Sequence, residues 1–151
     1  MNLAILPTVI VRHTHENPRK CSILPLRVRE DIILLNYPLK DRPSLAGYVR
    51  LAAEGPELSA DDGKSGLLLL DGSWRWADKM TRDFIDVPPR SLRGWRTAYP
   101  RVSRHGTDPT NGLASVEALF AAYHILGRPT NGLLDHYHWA KEFLRVNGMD
   151  V

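Results

Sequence analysis

The sequence predicts an α/β fold, a parallel sheet with helices on both faces. Three observations predict it. Short apolar runs recur at residues 3–11, 32–35 and 67–70, the right length for strands buried on both sides. Segments of helical periodicity alternate with and follow them. Gly, Pro and Asp clusters separate the two kinds, among them Asp71-Gly72, Gly55-Pro56 and Gly127 followed by Pro129.

Residues 3–11 form the first predicted strand, with Pro7 limiting where its backbone can pair. A polar loop follows over 13–22. His13 and His15 would share a face if the strand continued, yet neither they nor His136 and His138 have metal-ligand spacing, so no metal is expected. Residues 31–37 form a second strand around Ile32, Ile33, Leu34 and Leu35. Ser44 is placed to cap a helix running to Ala53, with Leu45, Tyr48, Val49 and Ala52 on one face and Gly55-Pro56 as its stop. A polar loop over 59–65 leads to the central strand. Trp76, Met80 and Phe84 then predict a helix, stopped by Val87-Pro88-Pro89. Residues 92–99 are read as a further strand with Trp95 buried and the arginines outward, and 100–112 as a long polar loop. Val116, Leu119, Phe120 and Tyr123 stand at i, i+3, i+4 and i+7 of a helix over 113–126, with Gly127 at its C′ position. A last helix, rich in aromatics, covers 134–146.

A chain of 151 residues with 43% apolar and 25% charged composition is read as one soluble globular domain. Residues 1–60 hold the N-terminal strand and its loop, and 61–151 the part built on the central strand. No apolar run approaches the roughly 18 residues of a membrane span, and the N-terminus lacks the order of a signal peptide. The single cysteine, Cys21, excludes an internal disulfide and a Cys-rich zinc site. A cytoplasmic protein without a membrane partner is expected. Its charge is uneven. Residues 75–104 carry eight basic and three acidic side chains, a local +5 within a net charge of +3. Seven of the eight are arginines, which suit phosphate forks and base stacking.

The stretch GLLLLDGSWRWADKM, residues 66–80, organises the chain. Strand, tight turn and helix in that order create the ligand-binding edge of open α/β sheets. Here the edge offers the Asp71 carboxylate, the Ser73 hydroxyl and the Trp74 indole.

Four stretches together resemble a known family. ENPRKCS (16–22) is similar to a DPKKCS motif, LLLLDGSW (67–74) to a strand ending in DCSW, LASVEALFAAYHILG (113–127) to an LSxVEALAAxLYILG helix, and YHWAKEFLRVN (137–147) to an FxWGxxFLxLN ending. These are signatures of the small-subunit ribosomal RNA aminocarboxypropyltransferases. DGSW followed by Ala77 and Lys79 is also similar to the DGTWxxAKK pattern of the DTW-domain family. The resemblance implies a SPOUT-like sheet with a C-terminal trefoil knot. It also implies transfer of the 3-amino-3-carboxypropyl group of S-adenosylmethionine to a uridine or pseudouridine nitrogen in ribosomal or transfer RNA. By motif position Ser22, Asp71, Trp74, Ser115 and Glu117 carry over, and Leu70, Leu92, Tyr99 and Leu113 complete the implied cofactor-binding set. Three departures bear on the RNA target. Ile23-Leu24 stands where the family has a basic pair, residues 98–112 form a longer loop, and the DTW cysteine cluster is absent.

Asp71 is the candidate general base for the imide proton, its rival roles being to cap loop amides or to hold the cofactor's ammonium group. Glu117 also fits a helix first turn without any chemistry, and Ser115 a plain helix start. RNA contacts are expected from Arg19, Lys20, Arg75, Lys79, Arg93, Arg96, Arg101 and Arg104. Two other readings stand beside transfer of the aminocarboxypropyl group. One is a methyltransferase using the same cofactor; the other is a non-catalytic RNA-binding assembly protein. Nothing in the sequence sets the oligomeric state.

Overall fold

The structure is a computed structural model that describes residues 5–13, 22–72, 74–99 and 113–149, apart from the side chains of Trp74 and Arg75. Five parallel strands form one sheet: β1 (Thr8–His13), β2 (Ile32–Tyr37), β3 (Tyr48–Leu51), β4 (Gly66–Asp71) and β5 (Pro89–Arg90). Their order is β2-β1-β4-β3-β5, so the four-leucine strand lies at the centre.

Strand alternation sorts the sheet's side chains into two cores. Ile10, Val49, Leu51, Leu67 and Leu69 face one side, where α2 (Ser115–Leu126) and α3 (Ala140–Val146) pack through Leu119, Phe120 and Phe143. Val9, Val11, Leu68 and Leu70 face the other, beneath Met80 of α1 (Trp74–Asp83) and Phe84 just beyond it. Helices therefore cover both faces, as the sequence predicts. Leu67 to Leu70 are all buried, which is why β4 reads as an unbroken apolar run.

Four expected elements differ. The segment expected as a helix over 44–53 is instead β3, flanked by β4 and β5. Its period of two is masked because both faces are buried, and one inward residue is Arg50. Residues 92–99 form no strand. Pairing next to β3 ends after the Glu57–Ser91 bridge, and inward residues then fall at 92, 95 and 98, a spacing of three that no strand presents. The last helix is shorter than expected. Residues 130–139 run through turns closed by Leu133 N–H to Thr130 O and Tyr137 N–H to Leu134 O, and α3 begins only at Ala140. β1 starts after Pro7 and extends through His13.

A polar network fixes α2 under the amino ends of the strands. The Tyr123 hydroxyl lies 2.7 Å from Thr8 Oγ1 and donates to Asp31 Oδ2 at 3.2 Å. Arg29 donates to both Asp31 oxygens, at 2.9 and 3.0 Å, and to the carbonyl of Asn131 at 2.6 Å. Arg128 donates to the carbonyls of Gly63 and Ser65. Burial pushes the Tyr123 phenol up to about 12, and the Arg29 hydrogen bond holds the Asp31 carboxyl below its usual value. Gly127, at φ 70°, takes the left-handed turn that closes α2. With its C-terminus anchored there, α2 points its N-terminus at the carboxyl ends of the strands, beside Asp71.

Candidate active site

Asp71 is the last residue of β4 and stands in register with Arg12 of β1. Ser115, the first residue of α2, donates its hydroxyl to Asp71 Oδ1 at 2.6 Å. Arg12 Nε lies 4.0 Å from Asp71 Oδ2, with the two side chains 7% and 15% exposed. A hydroxyl donor, a guanidinium and the amino end of a helix all stabilise negative charge at this position. The following Gly72 lies close to α1: a Cβ there would meet Met80 Sδ at 2.8 Å, so the methionine would have to shift. The turn is thus wedged against α1.

On the α1 side, buried His13 stacks on Trp76 with ring centroids 4.2 Å apart, and Tyr37 lies 5.7 Å from it. The Tyr37 hydroxyl donates to Asp83 and accepts from Lys79 Nζ at 3.2 Å. That bond to Tyr37 raises the pKa of the Lys79 ammonium, while burial above all raises that of Tyr37. Lys79, expected on RNA, is exposed but already partnered within the fold.

On the α2 side, the irregular segment 92–99 is pinned at three points. Trp95 packs among Phe143, Phe120 and His124, at centroid distances of 6.0, 6.4 and 5.7 Å. Asn147 grips the backbone of Arg96 in both directions, accepting its N–H at 2.8 Å and donating to its carbonyl at 2.9 Å. Glu117, fully buried, accepts four hydrogen bonds. Its Oε1 takes the Thr97 hydroxyl at 2.7 Å and the Ala114 N–H at 2.8 Å, and its Oε2 takes the Ala98 N–H at 2.8 Å and the Tyr137 hydroxyl at 2.9 Å. The Ala114 bond caps α2 from its own first turn.

The structure brings Asp71 and Ser115 into direct contact and sets Glu117 half a turn deeper in the same helix. Leu92 and Leu113 are buried in the core beneath α2, whereas the Leu70 side chain is buried on the opposite face under α1. Tyr99 is exposed, its N–H donated to Thr97 Oγ1 at 3.0 Å. Ser22 donates to the carbonyl of His136 at 3.4 Å. Trp74 opens α1. Arg93 and Arg96 are exposed on the pinned segment. Arg19, Lys20, Ser73, Arg101 and Arg104 lie outside the described residues, as do the side chains of Trp74 and Arg75. Among the described residues no cluster of three His, Cys, Asp or Glu could hold a metal ion.

Reasoning from sequence passes over Arg12, Thr97, Tyr137 and Asn147. Arg12 carried a signal, a charge directly after the apolar run Val9 to Val11. Tyr137 and Asn147 are the two ends of YHWAKEFLRVN, a stretch notable in sequence for its family likeness and not for what its polar ends hold. Thr97 carried none.

No protein-family model matches the chain. A 16S rRNA aminocarboxypropyltransferase from Methanocaldococcus jannaschii is 29% identical over 148 residues, 94% of this chain and 83% of the relative. Proteins of the same name from Methanosarcina mazei and Methanosarcina acetivorans are each 26% identical over 149 residues, 94% of this chain and 82% and 81% of theirs. The solved structure of the SAM-dependent rRNA:acp-transferase Tsr3 from Vulcanisaeta distributa matches with a TM-score of 0.71 at 25% identity, covering 95% of this chain and 80% of its own. The chain is similar to rRNA aminocarboxypropyltransferases along nearly its whole length.

Proposed function

We propose that this chain transfers the 3-amino-3-carboxypropyl group of S-adenosylmethionine to ribosomal RNA. One observation carries the reading beyond likeness. Two stretches of family-like sequence, DGSW and SVEAL, lie more than forty residues apart (positions 71–74 and 115–119) and meet at one hydrogen bond, Ser115 to Asp71. That bond stands at the carboxyl edge of a parallel sheet, where such folds bind their ligands.

The site's chemistry suits this co-substrate. Asp71 presents a carboxylate at the sheet edge, and Leu92, at the start of the pinned segment, and Leu113, just before α2, are apolar. When bound, S-adenosylmethionine supplies a methylene made electrophilic by the adjacent sulfonium, which leaves as methylthioadenosine when a base nitrogen attacks. The protein's task is positioning, because the leaving group needs no activation. Asp71, held between Ser115 and Arg12, is placed to attract the cationic centres of the co-substrate. We read Asp71 as a holding group first, and the uridine or pseudouridine nitrogen as the nucleophile. The C-terminal part is read as a SPOUT-like knotted unit. Its support is the family likeness of the stretches 113–127 and 137–147. A cytoplasmic setting follows from an rRNA substrate.

The test is product analysis after incubation with S-adenosylmethionine and small-subunit rRNA. Methylthioadenosine and an aminocarboxypropyl nucleoside are expected. S-adenosylhomocysteine would instead establish methyl transfer, and RNA binding without either product a non-catalytic role.

A further inference from the structure

We infer that Glu117 is a positioning residue for the proposed co-substrate slot, acting through backbone and not by contact. The inference rests on the activity proposed above. It concerns a residue whose place in the sequence points equally to a ligand contact and to a helix cap.

The geometry separates these roles. Glu117 is fully buried, and each of its oxygens already receives two protein donors. Two lone-pair directions per oxygen accommodate two donors, which leaves no acceptor capacity for a ligand. The four donors come from three separate parts of the chain. Thr97 and Ala98 belong to the segment after β5, Ala114 to the approach to α2, and Tyr137 to the turns before α3. A single carboxylate therefore sets the spacing between the 97–98 backbone and the start of α2. The same start carries Ser115, which holds Asp71. A shift of the Ala114 N–H would move Ser115, one residue on, relative to the strand end. Glu117 thus links the 97–98 segment to the Ser115–Asp71 pair.

The four donors also explain why glutamine cannot substitute. Hydroxyls can rotate away, so Thr97 and Tyr137 adapt to a new neighbour. Backbone N–H groups cannot. Ala114 N–H points at Oε1 and Ala98 N–H at Oε2, so each oxygen faces one fixed donor. Whichever way an amide is flipped, its NH2 group opposes a backbone N–H, and one side of the slot is pushed away.

Glu117→Gln is therefore expected to remain folded by circular dichroism yet bind S-adenosylmethionine about tenfold to a hundredfold more weakly, the range for one buried donor left unpaired. Transfer at saturating co-substrate should stay near the wild-type rate, the pattern of lost uniform binding. Amide exchange at Ala98 should accelerate. Thr97→Ala keeps the carboxylate and removes one donor; it should weaken binding by a smaller factor, with an almost unchanged melting temperature. It keeps the inference testable if the glutamine variant does not fold. Calorimetric titration of wild type and both variants reads the outcome. If wild type binds and both variants bind equally well, Glu117 is a frame residue and the inference is overturned while the enzymatic reading stands. If wild type itself binds no S-adenosylmethionine, the enzymatic reading fails and takes the inference with it.

Discussion

Asp71 and Glu117 are both carboxylates contributed by family-like stretches, and burial decides how each can act. Glu117 has no exposed surface and no spare lone pair, whereas the Asp71 side chain keeps 15% exposure and turns one oxygen toward Arg12 across 4.0 Å. Of the two, only Asp71 keeps surface for a ligand to reach. If it holds cationic centres, Asp71→Asn should weaken S-adenosylmethionine binding by about 1.5–3 kcal/mol, the usual worth of a hydrogen bond to a charged group. Calorimetry checks this. Unchanged affinity with single-turnover transfer slowed about 10²–10⁴-fold would make Asp71 the general base instead. Ser115→Ala should reproduce part of the affinity loss by freeing the carboxylate from its 2.6 Å partner. At this scale the sequence showed which residue types matter. It did not show that Ser115 bonds Asp71, because that pairing depends on where α2 lands.

The elements differ in how openly the sequence declares them. α2 is legible because its apolar residues repeat at helical spacing and Gly127 closes it. β4 is legible because four leucines in a row, bounded by turn residues, suit a short strand buried on both faces. β3 is not. Tyr48, Val49, Leu51 and Ala52 fit a helical face as well as a strand, and only neighbours on either side decide between them. α2 also carries a pH prediction through Tyr123. Its folded phenol is raised from 10.0 to about 12, chiefly by burial. A raised value means the stabilisation is complete below the unfolded pKa and is lost as pH climbs through the folded one, here between 10.0 and about 12. Tyr123→Phe has no such proton to lose. Urea midpoints from about pH 8 to about pH 11 should fall more for wild type than for Tyr123→Phe. At neutral pH the variant should be less stable by about 1 kcal/mol, for the hydrogen bonds missing at Thr8 and Asp31. Parallel curves would show that the network does not govern alkaline stability.

Across the whole molecule, the charge excess of residues 75–104 is not one surface. Lys79 and exposed Arg82 ride on α1, over the core that Met80 and Phe84 cover. Arg90 is bonded to Asp62 at 3.2 Å. Arg93 and Arg96 are exposed on the pinned segment, whose Trp95 packs into the other core. If RNA docks on this side, the pinned segment with its two exposed arginines would cost little to order on binding. Arg93→Ala with Arg96→Ala should weaken RNA binding and flatten its log–log salt dependence, by roughly 0.7 for each single-strand phosphate that is no longer neutralised. Arg82→Ala, on the α1 side, should leave the slope as it is. RNA titrations at several salt concentrations distinguish the two sides, and equal slopes for wild type and the double variant would move the docking surface elsewhere.

Local sequence was enough to specify a parallel sheet with helices on both faces and a carboxylate at the end of its central strand. Periodicity and turn residues are local properties, and a run such as residues 67–73 states strand, carboxylate and turn without reference to anything distant. What the polar residues do was settled only by tertiary packing. The hydrogen bonds of Glu117 to Thr97, Ala98 and Tyr137 span about twenty residues, and that of Ser115 to Asp71 spans forty-four. A hydrogen bond depends on distance and direction, and side chains so far apart in sequence acquire both only when packing fixes the elements that carry them.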